Sequence, residues 1–261
     1  MQAELEALAG SLRRITVEVR GRRQGNGAGV VWDADGRIIT NAHVARESTQ
    51  EITLHDGRVL RARLESRDAQ LDLASLRVDA KGLPAAEVAD SDLLRPGALV
   101  IAVGNPLGVI GAVATGVVYE VNGDDWVRAN VRLAPGNSGG PLADARGRVA
   151  GINCMVAGGL GIAVASNAVE RFLGRRRAPP KLGVTLQPVT QPAPGLAVVG
   201  IEPGAVAELA GILVGDIMMT TAPVLQRSLR RAQDGLTLDL IRGGKWRRLS
   251  VALGNPPKAA A

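Results

Sequence analysis

The sequence predicts a mainly β protein that ends in a smaller α+β unit. Hydrophobic residues make up 46% of the chain but aromatic residues only 2%, so the core must be built from Val, Ile, Leu and Ala, and the β-branched residues among them favour strands. Short β-branched runs separated by turn signals also repeat up to about residue 170. This spacing predicts an antiparallel barrel or sandwich.

Six strand-like stretches follow one another in this part of the chain: GVVWDADGRIITN, EITLHDGRVLRARL, LASLRV, ALVIAVG, ATGVVYEVNGDDWVRANV and PLADARGRVAGINCMV. Turn dipeptides lie where hairpins would reverse, namely Asp35-Gly36, Asp56-Gly57, Asn122-Gly123 and Arg146-Gly147. The uncharged stretch 97–119 is long enough to span a bilayer. Because Asn105-Pro106 interrupts it, we predict two buried strands joined by a loop and no transmembrane segment.

A change of composition marks a domain boundary. The stretch ERFLGRRRAPP is basic and proline-rich, as linkers often are. We therefore predict a first domain over residues 1–172, a linker over 173–180 and a second domain over 181–261. The second domain reads as strand, strand, short helix, strand, helix and hairpin.

Charge and cysteine content narrow the set of partners. The net charge is +6, but the one arginine run, Arg175-Arg176-Arg177, lacks interleaved aromatic residues. We interpret it as a solvated linker and predict no nucleic-acid partner. The single cysteine, Cys154, cannot form an intramolecular disulfide and is predicted to be a small buried hydrophobe. We find no metal-ligand spacing and predict no metal or cofactor.

The stretch PGNSGGPL surrounds Ser138 with glycines. Its Gly136-x-Ser138-x-Gly140 pattern also matches the nucleophile elbow of α/β-hydrolases, in which the catalytic histidine follows the serine. No histidine follows residue 55 here. If Ser138 is a nucleophile, its base therefore lies upstream.

Two histidines and two aspartates are candidates for the partners of this serine. His55 lies in the polar reversal LHDGR, whereas His43 ends an apolar strand in IITNAHV, where a scaffold can hold a side chain over a cleft. Asp72 opens the apolar strand LDLASLRV, whereas Asp68 has polar neighbours, and burial strengthens a charge-assisted bond to imidazole. We predict the order His43, Asp72, Ser138, which is the chymotrypsin-type order.

The glycines around Ser138 suggest a second part of the site. Gly136 would let its backbone N–H lie beside that of Ser138, and the two together would form an oxyanion hole. Gly139 and Gly140 would leave room for a substrate chain.

The motifs TNAHV (40–44), LDLASLRV (71–78), IAVGNPLG (101–108) and PGNSGGPL (135–142) together resemble the HtrA (DegP-like) branch of trypsin-like serine proteases. The later segments LGVTL and EPGAVAELAGILVGDIMM resemble the PDZ domain that follows in that family, here in abbreviated form. The resemblance implies a trypsin-like double six-stranded β-barrel with the active site between the barrels, followed by a small α+β PDZ domain.

The resemblance also implies an activity, a serine endopeptidase that cleaves unfolded or exposed polypeptides in protein quality control. His43 would be the general base, Asp72 its orienting carboxylate and Ser138 the nucleophile. The segment 159–165 looks like the wall of the specificity pocket, where Ile162 and Val164 would favour a small or medium apolar residue.

Further partners are implied at the PDZ unit. The backbone amides of Leu182, Gly183 and Val184 would bind the C-termini of peptides, and the family allows a homo-oligomer, a trimer. The alternative function is a catalytically silent or chaperone-like peptide-binding scaffold. The N-terminal stretch MQAELEALAGSLRR does not read as a signal peptide, so we expect a cytoplasmic protein; the alternative is a periplasmic or exported protein whose leader is missing.

Overall fold

The computed structural model describes residues 2–21, 26–106, 109, 111–122, 125–175, 180–191, 193–232 and 235–253. The chain divides into two compact units, Met1–Arg176 and Arg177–Ala261. Within the described ranges, no helix has the length and apolar character needed to cross a membrane.

The first unit begins with a helix, α1 (Gln2–Ile15), which is followed in the chain by two closed six-stranded antiparallel barrels. The strands of the N-terminal barrel are β1 (Thr16–Arg20), β2 (Asn26–Val31), β3 (Arg37–Thr40), β4 (Thr49–Thr53), β5 (Val59–Asp68) and β6 (Leu73–Val78), in the order β1-β2-β3-β6-β5-β4. Those of the C-terminal barrel are β7 (Leu99–Gly104), β8 (Ala112–Asn122), β9 (Trp126–Asn130), β10 (Pro141–Asp144), β11 (Val149–Ala157) and β12 (Leu160–Ala165), in the order β10-β11-β12-β9-β8-β7. The predicted double-barrel fold is thus confirmed.

Aliphatic side chains fill both barrels, as the shortage of aromatic residues requires. Val19, Ile52 and Leu76 lie in the core of the N-terminal barrel, and Ile101 and Val164 in that of the C-terminal barrel. Non-local strand pairing buries these aliphatic residues, and the β-branched ones among them pack well on a pleated sheet.

Three of the four predicted turn dipeptides lie at chain reversals. In each of them the glycine has a positive φ: Gly36 (φ 91), Gly57 (φ 86) and Gly147 (φ 79). The fourth, Asn122-Gly123, lies partly outside the described residues. The stretch 97–119 forms parts of β7 and β8, which pair in antiparallel register.

The structure describes only part of the boundary region that we predicted to be a solvated linker. A short helix, α2 (Ser166–Phe172), ends the first unit. Beyond it, the Arg175 guanidinium donates to Asp33 Oδ2 at 3.0 Å, so the first arginine of the run is tied to the N-terminal barrel. Arg176 and Arg177 lie outside the described residues.

The second unit is an antiparallel sheet with two helices. Its elements are β13 (Val184–Val189), β14 (Gly195–Ile201), α3 (Val206–Leu209), β15 (Ile217–Met218), α4 (Ala222–Arg231), β16 (Gly235–Arg242) and β17 (Lys245–Ala252), and the strands are ordered β13-β14-β15-β16-β17. The element order is the one that the sequence predicts. Its identity as a PDZ domain stays a prediction.

Candidate active site

Ser138 lies in the loop that joins β9 to β10, and glycines bring this loop close to the N-terminal barrel. The carbonyl of Ser138 accepts a hydrogen bond from Ala28 N–H at 2.8 Å, and Gly139 N–H donates to the carbonyl of Asn153 at 2.8 Å. Gly139 has φ 88, and a Cβ there would collide with the carbonyl of Ala28. Glycine is needed at this position because the two backbones nearly touch.

His43 and Asp72 lie at adjoining strand ends of the N-terminal barrel. His43 follows β3 in a turn, and Asp72 precedes β6, the strand that pairs with β3. The His43 Nδ1 and Asp72 Oδ2 atoms are 2.6 Å apart, and Asp72 Oδ1 accepts the His43 backbone N–H at 2.9 Å. The carboxylate therefore fixes both the ring and the backbone of His43.

The backbone of Asp72 is held in an unusual conformation. With φ 52, it is the one non-glycine residue of the described chain in the left-handed region, which costs on the order of 1–3 kcal/mol. Its carbonyl accepts hydrogen bonds from Asn41 Nδ2 at 2.9 Å and from Ala42 N–H at 3.1 Å. These contacts hold the strained residue in place so that its carboxylate faces the imidazole.

The surroundings of Asp72 keep its carboxylate ionised. Burial by itself would raise the pKa of Asp72, but hydrogen bonds from the His43 ring, the Cys154 thiol and the His43 backbone outweigh burial and hold that pKa below its usual value. An ionised carboxylate accepts the Nδ1 proton and stabilises an imidazolium. The pair thus has the arrangement that general-base chemistry needs.

Cys154 is a site residue that the sequence analysis missed. Its Sγ lies 3.0 Å from Asp72 Oδ2, and its carbonyl accepts the Ser138 hydroxyl at 2.9 Å. Burial, and then the neighbouring Asp72, raise the pKa of the thiol, so the sulfur keeps its proton and can donate it. A lone cysteine in an apolar run carries no sequence signal for a site. Only the closure of the barrel brings β11 into contact with Asp72 and Ser138.

His43, Asp72 and Cys154 are also residue types that bind metals, and their ligand atoms lie within 4.8 Å of one another. The 2.6 Å separation of Nδ1 and Oδ2 is shorter than the distance of about 3.3 Å between ligand atoms that bond lengths near 2 Å impose around tetrahedral zinc. We therefore assign these contacts to hydrogen bonding.

Ser138 contacts Cys154, the residue that also contacts Asp72, but within the described chain its hydroxyl makes no hydrogen bond to the His43 imidazole. The hydroxyl is bonded instead to the Cys154 carbonyl. Catalytic hydrogen bonds are often long or unmade without substrate. Cys154 links the three residues, since its thiol contacts Asp72 and its carbonyl contacts Ser138.

The loop before Ser138 forms a tight turn. Asn137 N–H donates to the carbonyl of Ala134 at 3.0 Å, and Gly136 has φ 102. Proline followed by a residue with positive φ is typical of a type II turn. In the described part of the chain, the N–H groups of Gly136 and Ser138 donate to no protein acceptor, so both can bind an external oxygen.

A pocket of about 380 Å³ opens beside Ser138. Its lining is mostly apolar and consists of Leu133, Ala134, Pro135, Asn137, Ser138, Cys154, Met155 and Val156. Ile162 and Val164, which we expected there, are not among these residues; Val164 is fully buried in the barrel core. The expected wall segment reaches the pocket at Gly161, where a Cβ would lie 3.1 Å from Leu133 Cδ1.

His55 and Asp68, the alternative candidates for the base and its carboxylate, lie elsewhere in the structure. His55 is exposed at the turn between β4 and β5. Asp68 Oδ1 accepts the backbone N–H groups of Gln70 and Leu71 at 2.8 and 3.0 Å, so it stabilises a local turn.

In the second unit, Leu182 and Gly183 precede the edge strand β13, which Val184 begins. Leu182 is buried, and Gly183 has φ 70. The carbonyls of Leu182 and Gly183 accept N–H groups of Ala207 and Glu202 at 2.8 and 2.9 Å. Of the three predicted peptide-binding residues, Leu182 and Gly183 thus lie in the loop before β13 and Val184 is the first residue of the strand.

The two barrels and the serine loop between them define a trypsin-like serine endopeptidase. Residues 27–152 match the model of the trypsin-like peptidase domain. A Synechocystis sp. protein with the name serine protease HhoB is 33% identical over 283 residues, which cover 91% of this chain and 68% of the relative. The chain belongs to the HtrA/DegP-like family of trypsin-fold serine proteases.

Two further comparisons agree with this assignment. A DegP-like periplasmic serine endoprotease of Halomonas elongata is 31% identical over 273 residues, and the matched region covers 57% of that relative. The solved structure of the HtrA-type protease AlgW with a decapeptide superposes with a TM-score of 0.68 at 24% identity, covering 96% of this chain and 99% of that one. At this identity, the likeness supports the fold alone.

Proposed function

We propose that the protein cleaves unfolded or exposed polypeptides in protein quality control through a triad of His43, Asp72 and Ser138. One observation carries the proposal: Asp72 holds both the His43 ring, at 2.6 Å, and its backbone N–H, at 2.9 Å. This is the arrangement that an orienting carboxylate needs.

In the first step, the Ser138 hydroxyl leaves the Cys154 carbonyl and attacks the carbonyl carbon of the substrate, while His43 Nε2 takes the hydroxyl proton. The Nδ1–H of the resulting imidazolium keeps its hydrogen bond to ionised Asp72, which stabilises the positive charge without taking the proton. The N–H groups of Gly136 and Ser138 donate to the substrate oxygen as it becomes negative. His43 next passes the proton to the leaving amine, and water hydrolyses the acyl-enzyme by the same route.

A silent or chaperone-like scaffold remains the second candidate. A silent site would require that the loop before Ser138 withdraw its donors from the oxyanion position. The positive φ of Gly136 and the unbonded N–H groups described above favour a competent loop and hence the enzyme.

A fluorophosphonate probe tests the proposal, since it reacts only with an activated serine. We expect mass spectrometry to find the adduct on Ser138 of the wild-type protein. The adduct should be absent from Ser138→Ala and His43→Ala, because these variants lack the nucleophile and its base. His55→Ala is the control and should label normally. An unlabelled wild type that still binds unfolded polypeptide would favour the scaffold.

The pocket beside Ser138 predicts cleavage after apolar residues. Leu133→Ala would enlarge this pocket, so we expect it to shift kcat/KM about tenfold towards larger apolar side chains before the scissile bond. Competing peptides that differ only at that position measure the shift. The control is Val164→Ala, which removes core packing and should cost about 1–3 kcal/mol of stability with unchanged preference. A shift in Val164→Ala alone would restore the original assignment of the pocket wall.

The second unit is proposed to be a PDZ domain that binds peptide C-termini through Leu182, Gly183 and Val184. The ordered loop before the edge strand β13 supports this, because an extended peptide can add to a free strand edge. A trimeric assembly is proposed on family grounds. AlgW was solved with a decapeptide, which fits peptide ligands for this fold.

We propose a periplasmic location. The relatives from Halomonas elongata and Chlamydia muridarum carry periplasmic in their names. The cytoplasmic location that we expected has no support among these relatives.

A further inference from the structure

The motif IAVGNPLG has no role in the mechanism above, although its asparagine lies directly behind the serine loop. Asn105 is 3% exposed, and its backbone N–H donates to the carbonyl of Gly136 at 3.1 Å. The contact is close, because a Cβ on Gly136 would collide with the Asn105 carbonyl and lie 2.8 Å from Pro106 Cα. Asn105 thus contacts the residue that supplies a proposed oxyanion donor.

The side chain of Asn105 is itself held at both ends. Its Nδ2 donates to the carbonyl of Val17 in β1 at 3.2 Å, and its Oδ1 accepts the N–H of Gly111 at 2.9 Å. The side-chain amide therefore connects the N-terminal barrel to the segment before β8, and the backbone N–H of the same residue connects both to the serine loop. A buried amide that is bonded through both its nitrogen and its oxygen has little freedom to move.

The series of hydrogen bonds extends to the N-terminal helix. Arg13, near the end of α1, donates its Nε–H to the carbonyl of Gly111 at 2.8 Å. Hydrogen bonds thus run from Arg13 to Gly111, from Gly111 to Asn105 and from Asn105 to Gly136. We name these four residues the Arg13–Gly136 relay.

The relay ends at the peptide group that determines the shape of the loop. The carbonyl of Gly136 is held by Asn105, and the N–H of the same peptide group, that of Asn137, is held by Ala134 at 3.0 Å. With this group fixed, the φ angle of Gly136 determines where its own N–H points. Type I and type II turns differ by a flip of their central peptide group, which here joins Pro135 to Gly136 and carries the Gly136 N–H. Glycine adopts either sign of φ readily.

We propose that Asn105 and Arg13 are positioning residues that hold the Gly136 N–H at the oxyanion position through the Arg13–Gly136 relay. The consequence for catalysis rests on the proposed function. The consequence for the loop does not, because the hydrogen bonds exist whether or not the enzyme turns over substrate.

The experiment compares Arg13→Ala and Asn105→Ala with Arg14→Ala. Arg14 is the matched control, since it carries the same charge on the same helix and donates to Ser11 Oγ at 3.1 Å, outside the relay. Three properties are measured: kcat and KM for a peptide substrate, the affinity of a peptide aldehyde whose hemiacetal oxygen occupies the oxyanion hole, and amide hydrogen exchange of the segment 133–140.

We expect Arg13→Ala to lower kcat by about threefold to tenfold and Asn105→Ala by about a hundredfold, with KM nearly unchanged because ground-state binding is kept. Aldehyde affinity should fall in parallel, and exchange in 133–140 should accelerate in both variants. Arg14→Ala should match the wild type in all three measurements.

The relay is refuted if Arg13→Ala behaves like Arg14→Ala in both exchange and kcat. A purely structural role for Asn105 would instead lower stability while leaving aldehyde affinity and exchange of the loop unchanged. Should Asn105→Ala fail to fold, Arg13→Ala still decides, because its side chain is exposed. If the fluorophosphonate probe does not label the wild-type protein, the proposed function is contradicted but the relay is not. Hydrogen exchange reports on the relay whether or not the protein is active.

Discussion

Asp72→Asn is expected to lower kcat by about 10⁴-fold while the protein remains folded. The carboxylate accepts three hydrogen bonds, from the ring and backbone of His43 and from the Cys154 thiol. An amide at this position can donate to His43 Nδ1, which would place the ring proton on Nε2, the atom that receives the proton of Ser138 in the proposed mechanism. Steady-state cleavage of a peptide with an apolar residue before the scissile bond measures the loss.

Asp68→Asn is the matched control for this prediction. Asp68 lies four residues earlier in the chain, and its carboxylate caps a turn through Gln70 and Leu71. We expect kcat to stay within about threefold of the wild type, because a cap is worth only about 1 kcal/mol of stability. Equal losses in the two variants would show that Asp72 acts through folding and not through His43.

Gly136→Ala is expected to lower kcat by about 10²-fold to 10³-fold, the usual loss when one oxyanion donor is removed. The φ of 102 is unfavourable for alanine, and the new Cβ would collide with the Asn105 carbonyl. The loop must shift to relieve the collision, which moves the Gly136 N–H. Substrate affinity should change far less than kcat, because the hydrogen bond forms mainly in the transition state.

Gly97→Ala separates backbone strain from loss of the donor. Gly97 also has positive φ, 85, but a Cβ there would meet nothing within 4 Å. This variant should lose about 1–3 kcal/mol of stability and keep the wild-type kcat. If Gly97→Ala and Gly136→Ala lost the same activity, general strain would be the cause, and the oxyanion assignment would fail.

Local chemistry explains how much of this protein could be predicted. Strand-sized aliphatic runs and turn glycines depend on neighbours in the chain, and they predicted the barrel strands and the reversals at Gly36, Gly57 and Gly147. The catalytic candidates could also be proposed from the sequence, because no histidine follows residue 55, which excludes the α/β-hydrolase order and places any base upstream of Ser138.

The tertiary structure alone decided which side chains touch. The sequence by itself determined the β-rich fold and the candidates for the reaction, through residue type and short-range spacing. It did not determine that the Cys154 thiol contacts Asp72, that Leu133 and Val156 line a pocket beside Ser138, or that the backbone of Asn105 contacts Gly136. These contacts join residues far apart in the chain, and their existence depends on barrel closure and strand register.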